Sequence, residues 1–179
     1  MNPQAPGDYN RISFVALGAN LGDARKTVLQ AIDRLQELSA SKLLRSSLWA
    51  TTPVDCPPGS PDFFNAVVGF QPLPGETPET LLSKLQKLEK AFGRKPKRVM
   101  NEPRSLDLDL IAFGPEMRNS SVLILPHPRA AQRRFVLEPL SEIAPVFILP
   151  GQIKTIAELL ENLPPDCQMR RLSARPWPM

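Results

Sequence analysis

The order of apolar segments along the chain restricts the fold more than any other feature of the sequence. Segments typical of strands are residues 12–17, 43–51, 64–71 and 103–114, and segments with helical spacing of apolar residues are 24–38 and 78–92. The resulting order is β-α-β-β-α-β, the split βαβ pattern. The sequence therefore predicts an α/β (α+β) sandwich with a ferredoxin-like βαββαβ core, whose antiparallel sheet carries both helices on one face.

The rest of the chain adds extra C-terminal strands and a helix to this core. Strand candidates are residues 121–125 and 146–150, and a short helix is expected within 129–140. Thr155 and Glu158 have the spacing of a capping box, which predicts a last helix that ends at about Leu163. We expect one domain over residues 1–179, with 1–11 and about 165–179 as peripheral tails.

Composition places the chain among soluble globular proteins. Its 21 prolines in 179 residues predict long, stiff loops. Cys56 and Cys167 form no C-x-x-C pair, so we expect reduced thiols. The N-terminus lacks the pattern of a signal peptide and no stretch is apolar enough for a membrane span, which predicts a cytoplasmic protein without a membrane partner. The net charge of +4 suits an anionic partner, either a small molecule or RNA.

Two aspartates lie in the fourth strand segment, "PRSLDLDLIAFG". Residues two apart in a strand point to the same face, so Asp107 and Asp109 project together while Leu106, Leu108 and Leu110 face the core. Strands disfavour aspartate, and two adjacent carboxylates repel each other unless a cation lies between them. The pair is either the wet face of a half-buried strand or a site for Mg²⁺, which prefers oxygen ligands.

The loop before this strand favours the metal site. It carries Arg94, Lys95, Lys97, Arg98 and Arg104 against the single acid Glu102. Magnesium is usually held by one or two carboxylates plus substrate phosphates, and guanidinium groups complement the remaining phosphate oxygens. The carboxylate pair and the basic loop together predict a magnesium–polyphosphate site, whereas the loop alone would suit a solvated or RNA-contacting surface.

A second basic segment, "PHPRAAQRRF", contains His127, Arg129 and Arg133 and could add donors to the same phosphates. The glycines of "GANLGD" match neither a P-loop nor the G-x-G-x-x-G spacing, and we interpret them as a turn between strand and helix.

These motifs resemble the 6-hydroxymethyl-7,8-dihydropterin pyrophosphokinase family of folate biosynthesis. The matching stretches are "ALGANLGD", "TTPV", "DFFNAVV", "PRSLDLDLIAFG" and "LPHPRAAQRRFVLEPLSEIAP", in the family's order from about residue 12 to 151. The resemblance implies a ferredoxin-like fold and transfer of the β,γ-pyrophosphoryl group of ATP to the 6-hydroxymethyl oxygen of the dihydropterin, with release of AMP.

The resemblance also implies the roles of individual residues. Asp107 and Asp109 match the pair that holds two Mg²⁺ ions on the triphosphate. The catalytic set is Arg94, Arg104, Asp107, Asp109 and Arg133; the nucleotide set is Gln86, Glu89, Arg94, Arg98, Arg104, His127 and Arg133. For the pterin, Phe63 and Phe135 match two stacking aromatics, Asn65 an amide partner, and Thr51 and Val54 backbone contacts. Residues 52–62 and 94–105 would be lids that exclude water.

Five positions depart from the family pattern: Pro96, Asn101, Glu102, Val122 and Pro128. Several fall in the basic loop, so we expect loop closure, affinity or rate to differ while the mechanism survives. Two other functions remain open. One is a metal-dependent nucleotidyl transferase. The other is RNA binding by a sheet with exposed Phe14, Phe64 or Phe70. The strands of this sequence lack the aromatic and basic pattern of RNA-binding sheets, which argues against this function. The preferred interpretation is a monomer that binds ATP and the dihydropterin and no nucleic acid.

Overall fold

The computed structural model describes residues 8–54, 56–95, 103–165 and 167–173. The strands are β1 Ser13–Ala19, β2 Leu44–Arg45, β3 Leu48–Thr51, β4 Phe63–Phe70, β5 Asp107–Phe113, β6 Arg118–Asn119, β7 Ile124–Leu125 and β8 Met169–Ser173. The α-helices are α1 Ala24–Leu35, α2 Pro78–Ala91, α3 Arg134–Ile143 and α4 Ile156–Asn162.

The main sheet is antiparallel and has the order β5-β1-β4-β3-β8, with β2 also paired to β4. The first four strands in this order are the fourth, first, third and second predicted strands of the core. This is the arrangement expected for a ferredoxin-like sandwich, so the predicted fold class is confirmed. Strands β6 and β7 form a separate two-stranded sheet.

Helices α1 and α2 cover one face of the sheet, as predicted. Val28, Ile32, Leu81 and Leu85 pack with the buried strand residues of that face. The predicted helix starts are also observed: the Asp23 side chain accepts a hydrogen bond from the Lys26 backbone N–H at 3.1 Å, and Thr77 forms a capping box with Thr80. Gly93, with φ +82°, follows the end of α2.

Helices α3 and α4 cover only part of the opposite face. Their apolar residues pack with Phe14, Val67, Ile111 and Ala112. Because side chains alternate along each strand, the rest of this face presents Ala16 and Gly18 of β1 and neighbouring residues of β4 and β5. This uncovered part of the sheet is the floor of a cavity.

The predicted strand over residues 43–51 is two short strands instead of one. The Ser46 hydroxyl accepts a hydrogen bond from the Val67 backbone N–H at 2.9 Å and donates to the Ser47 carbonyl oxygen at 2.8 Å. A side chain thus replaces a backbone group in the ladder between β2 and β3, and the regular pairing is interrupted there.

Residues 146–150 do not form the predicted strand. Phe147 and Leu149 are buried and Val146 and Ile148 are exposed, so the alternation is present, but the only pairing described for this segment is an isolated bridge between Ile148 and Thr155. Alternation of apolar and polar residues gives a segment a buried face and an exposed face. A strand also needs continuous backbone pairing with a neighbouring strand, and in the described residues this segment pairs only at the isolated bridge.

Residues 169–173, treated above as part of a tail, form the edge strand β8. Arg171 Nε donates to Ser47 Oγ at 2.7 Å, and the Glu142 carboxylate of α3 accepts from Ser47 N at 2.9 Å and Trp49 Nε1 at 2.8 Å. The Thr52 backbone N–H donates to the Gln168 carbonyl oxygen at 3.0 Å. The C-terminal strand therefore supports the loop that follows β3.

Candidate active site

A cavity of about 870 Å³ lies over the uncovered part of the sheet, between the end of α2, the start of α3 and the loop after β3. Every predicted site residue that the structure describes lines it: Thr51, Val54, Phe63, Asn65, Gln86, Glu89, Arg94, Arg104, Asp107, Asp109, His127, Arg133 and Phe135. Arg98 lies outside the described residues. The structure thus brings together positions that are far apart in sequence, while their individual roles remain predictions.

The aspartates have the predicted alternation. Leu106, Leu108 and Leu110 are buried in the core beneath α1 and α2, and Asp107 and Asp109 face the cavity from the other side of β5. The leucines anchor the strand in the core, and the carboxylates are left available to a ligand.

Arginines neutralise Asp107. Its two carboxylate oxygens contact Arg94 Nη1 at 2.7 Å and Arg104 Nη1 at 2.6 Å. Arg94 follows α2 and also forms an ion pair with Glu89 of that helix. The basic loop is therefore connected to the strand it precedes through the Asp107 carboxylate.

Asp109 has weaker partners. Its Oδ2 lies 3.5 Å from Arg133 Nη1 and 3.8 Å from His127 Nε2. Burial raises the pKa of Asp109, and the negative charge of Asp107 raises it further, against the opposing effect of His127 and Arg133. Because its cationic partners are farther away than those of Asp107, the Asp109 carboxylate would gain from an added cation.

The predicted second basic segment contributes a neutral donor as well as charge. Burial lowers the pKa of His127, although Asp109 opposes the shift. His127 Nδ1 accepts a hydrogen bond from the Arg129 backbone N–H at 3.2 Å, so the neutral ring carries its proton on Nε2, which faces the cavity side of Asp109. Burial likewise lowers the pKa of Arg133, with the charge of Arg129 as the next cause.

Glu89 is a buried acid behind the aspartates. Its side chain is 8% exposed, and its Oε1 accepts a hydrogen bond from the Leu108 backbone N–H at 2.7 Å. Burial raises the pKa of Glu89 to about 7, against the opposing effects of this hydrogen bond and of Arg94. Glu89 therefore fixes both the strand between the two aspartates and the arginine beside them.

A second part of the cavity is apolar and aromatic, with one amide. Phe63 and Asn65 project from β4, and Phe135 from the start of α3. Asn65 is buried and its Nδ2 donates to Thr51 Oγ1 at 2.7 Å. Phe64, next to Phe63, packs into the core on the opposite face, as expected for alternating strand residues.

Asn20 was missed by the sequence analysis, which interpreted "GANLGD" only as a turn. Its Oδ1 accepts from the Arg104 backbone N–H at 2.8 Å, and its Nδ2 donates to the Pro61 carbonyl oxygen at 3.2 Å. One buried side chain thus joins the segment that carries Arg104 to the proline-rich loop. An asparagine just after a strand gave no local sign of these distant partners.

No group of three or more His, Cys, Asp or Glu side chains in the described parts of the chain could hold a metal ion by itself. Asp107 and Asp109 together offer two carboxylates, which is the donor set of a magnesium site completed by substrate phosphates rather than of a closed protein site.

None of the helices in the described residues is both long enough and apolar enough to span a membrane.

The sequence profile of the family described as 7,8-dihydro-6-hydroxymethylpterin-pyrophosphokinase (HPPK) matches residues 14–145. The chain belongs to this family. Family membership confirms the resemblance and the expectation of a pyrophosphokinase enzyme.

Individual relatives agree with the family assignment. The chain is 35% identical over 170 residues to 2-amino-4-hydroxy-6-hydroxymethyldihydropteridine pyrophosphokinase of Synechocystis sp., covering 93% of this chain and 84% of the relative. It is 36% identical over 135 residues to the Bacillus subtilis protein of the same name, covering 75% and 78%. It is also 36% identical over 154 residues to Folic acid synthesis protein fol1 of Pneumocystis carinii, covering 86% of this chain but only 20% of that protein.

Solved structures support the fold. The crystal structure of Plasmodium falciparum HPPK-DHPS with pteroate matches with a TM-score of 0.63 at 12% identity, covering 84% of this chain and 44% of that one. A structure of HPPK-DHPS in complex with substrates matches with a TM-score of 0.59 at 13% identity, covering 84% and 43%. At these identities the likeness concerns the fold alone.

Proposed function

We propose that this chain transfers pyrophosphate from ATP to 6-hydroxymethyl-7,8-dihydropterin, giving AMP and the dihydropterin pyrophosphate in folate synthesis. One observation carries the proposal. The aspartates with their basic residues and the aromatic–amide side chains line one cavity. Transfer between a polyphosphate and a flat heterocycle requires this juxtaposition of two recognition surfaces.

The charged half of the cavity fits Mg²⁺-bound ATP. Asp107 and Asp109 would hold two Mg²⁺ ions together with the triphosphate, since both aspartates line the cavity. When bound, the ions supply neutralisation of phosphate charge and polarisation of the phosphorus that is attacked.

The arginines would change partners when ATP and its cations bind. Arg94 and Arg104 now neutralise Asp107, and Arg133 lies beside Asp109. Once cations compensate the carboxylates, these guanidinium groups can donate to phosphate oxygens. His127 Nε2–H is a further donor, and Gln86 and Glu89 line the same end of the cavity.

The other half of the cavity fits the pterin. Phe63 and Phe135 offer aromatic faces, and the Asn65 amide offers a hydrogen-bonding edge. Thr51 at the end of β3 and Val54 in the loop that follows border this half. The hydroxymethyl oxygen would attack the β-phosphorus, so that AMP leaves. Closure of residues 52–62 and 94–105 would exclude water as a competing acceptor; residues 55 and 96–102, including Pro96, Asn101 and Glu102, lie outside the described residues.

The deciding experiment is incubation of the protein with ATP, Mg²⁺ and 6-hydroxymethyl-7,8-dihydropterin, followed by separation of the nucleotides. We expect AMP and a pyrophosphorylated pterin in equal amounts. Release of inorganic pyrophosphate would instead indicate the nucleotidyl transferase, and ADP would indicate an ordinary kinase.

The magnesium requirement has a separate test. Calorimetric titration with a non-hydrolysable ATP analogue should show strong binding with Mg²⁺ and a collapse of affinity after chelation. Binding that does not depend on the metal would contradict the assignment of Asp107 and Asp109. A cytoplasmic monomer without nucleic-acid or membrane partners completes the proposal, and sedimentation of the purified chain tests its oligomeric state.

A further inference from the structure

Gly18 lies on the floor of the cavity, at the boundary between its two halves. It belongs to the central strand β1 and pairs across the sheet with Asn65 of β4 on one side and Asp107 of β5 on the other. We infer that Gly18 is a specificity-determining residue, whose lack of a side chain leaves the room in which the pterin ring lies against Asn65. This inference rests on the proposed function and names a residue that the function alone does not assign.

The space above Gly18 belongs to the aromatic–amide half of the cavity, which is lined by Phe63, Asn65 and Phe135. A Cβ atom at this position would lie 3.0 Å from Asn65 Oδ1 and 3.8 Å from Phe63 Cδ1. Among the described residues outside its own chain neighbours, no other heavy atom comes within 4 Å of that Cβ position. A methyl group would therefore enter the aromatic–amide half and leave Asp107 untouched.

The orientation of the Asn65 amide makes this space important. Its Nδ2 donates to Thr51 Oγ1, so its Oδ1 is the free acceptor, and this oxygen is the atom that faces Gly18. A ring N–H or amino group that reaches Oδ1 must pass directly over Gly18. A side chain there would occupy the position of the ligand's donor edge.

The backbone does not require glycine at this position. Gly18 lies inside a regular strand paired on both sides and is not among the glycines with positive φ, whereas Gly22 has φ +60°. Glycine inside a strand weakens it, and alanine or valine would suit the same backbone better. Glycine therefore makes the strand less stable at the position where the pterin ring is expected.

The test is the pair Gly18→Ala and Gly18→Val, assayed through AMP formation and calorimetry. We expect KM for the dihydropterin to rise about tenfold or more in Gly18→Ala and further in Gly18→Val. Affinity for the Mg²⁺-bound non-hydrolysable ATP analogue should stay within twofold of wild type. Tm should change little in Gly18→Ala, because the gain in strand propensity opposes the close contact of the new Cβ with Asn65 Oδ1 at 3.0 Å. A residue with only a structural role would move Tm and KM together in the unfavourable direction.

Gly69→Ala is the matched control. Gly69 lies in β4 on the same face of the sheet, but its Cβ would lie 2.7 Å from Phe14 Cε1 in the core. This variant should have a lower Tm than wild type, because the new Cβ would clash with Phe14, and it should keep the wild-type KM for the dihydropterin.

The outcomes separate this inference from the function on which it rests. Wild-type protein that forms no AMP overturns the proposed function. Wild-type protein that forms AMP, with a KM for the dihydropterin unchanged in both Gly18 variants, overturns only the inference. An equal loss of ATP-analogue affinity would also overturn it, since the methyl group would then act on the whole site.

Discussion

The two halves of the cavity are built in different ways. The charged half depends on ion pairs between side chains from α2, β5 and the segment before α3. The partly buried Asp109 and the buried Glu89 in this half have raised pKa values. The aromatic–amide half depends on the register of the sheet, which places Asn65 beside Thr51 and Gly18. The aromatic–amide half is therefore preformed, whereas the charged half contains unfavourable carboxylate charge that an added cation would relieve.

Removal of a carboxylate charge from β5 should reduce activity more than any other change considered below. Asp107→Asn and Asp109→Asn should each lower kcat/KM by at least about a hundredfold, since a preorganised electrostatic contact is lost. Their stabilities should differ. Asp109→Asn should be neutral or stabilising, because burial already disfavours that charge. Asp107→Asn should be destabilising, because it removes the carboxylate that Arg94 and Arg104 both contact. Urea unfolding measures this difference.

Asp33→Asn is the control for this pair, because Asp33 is an exposed aspartate of α1 whose side chain is 73% accessible. It should change neither activity nor stability measurably. Unfolding of Asp109→Asn under conditions where wild type is folded would show that this carboxylate is structural.

A smaller effect should separate two adjacent phenylalanines of β4, of which only Phe63 lines the cavity. Phe63→Ala should raise KM for the dihydropterin about tenfold through loss of a stacking face, with little change in stability. Phe64→Ala should cost about 2–3 kcal/mol of unfolding free energy, because its ring packs into the core. Steady-state kinetics and urea unfolding on both variants test the assignment of faces, which a reversed pattern would contradict.

The pH dependence of stability probes the charged half. Glu89 has a folded-state pKa of about 7 against an ordinary value of 4.5, so the folded protein binds more protons between these pH values. Stability therefore falls as pH rises from about 4.5 to 7, and the loss is complete above pH 7. Glu89→Gln removes this titration and should gain about 1–3 kcal/mol relative to wild type between pH 5 and 8. Urea midpoints without metal or nucleotide would detect it, and a difference independent of pH would contradict the raised pKa.

Local patterns predicted much of this molecule. Alternation in "LDLDL" was sufficient to assign β5 and to separate core leucines from cavity aspartates, because the two-residue period of a strand is a local property. The capping residues Asp23, Thr77 and Thr155 were equally predictable, because each side chain accepts a hydrogen bond from a backbone N–H in the first turn of its own helix.

Features that depend on distant partners were not predicted. β8 has two arginines in its five residues and no apolar alternation, and it becomes a strand because the edge of β3 is open to it. Ser46 interrupts a predicted strand through a bond to Val67, 21 residues away. The connection between the two halves of the cavity was not predicted either, because it depends on hydrogen bonds from one side chain to residues far away in the sequence.

Asn20 is that side chain, and it gives the smallest predicted effect. It bonds to Pro61 and to Arg104, which are 41 and 84 residues away along the chain, and these lie on the ring side and the charged side respectively. Asn20→Ala removes both side-chain bonds and should cost about 1–2 kcal/mol of unfolding free energy. If the link coordinates the two halves, KM should rise a few-fold for both substrates, in contrast to Phe63→Ala, which should raise KM for the dihydropterin. Asn162→Ala, which removes an exposed bond to the Glu158 carbonyl oxygen, should leave both KM values unchanged. A change confined to one substrate would show that the two halves are positioned independently of each other.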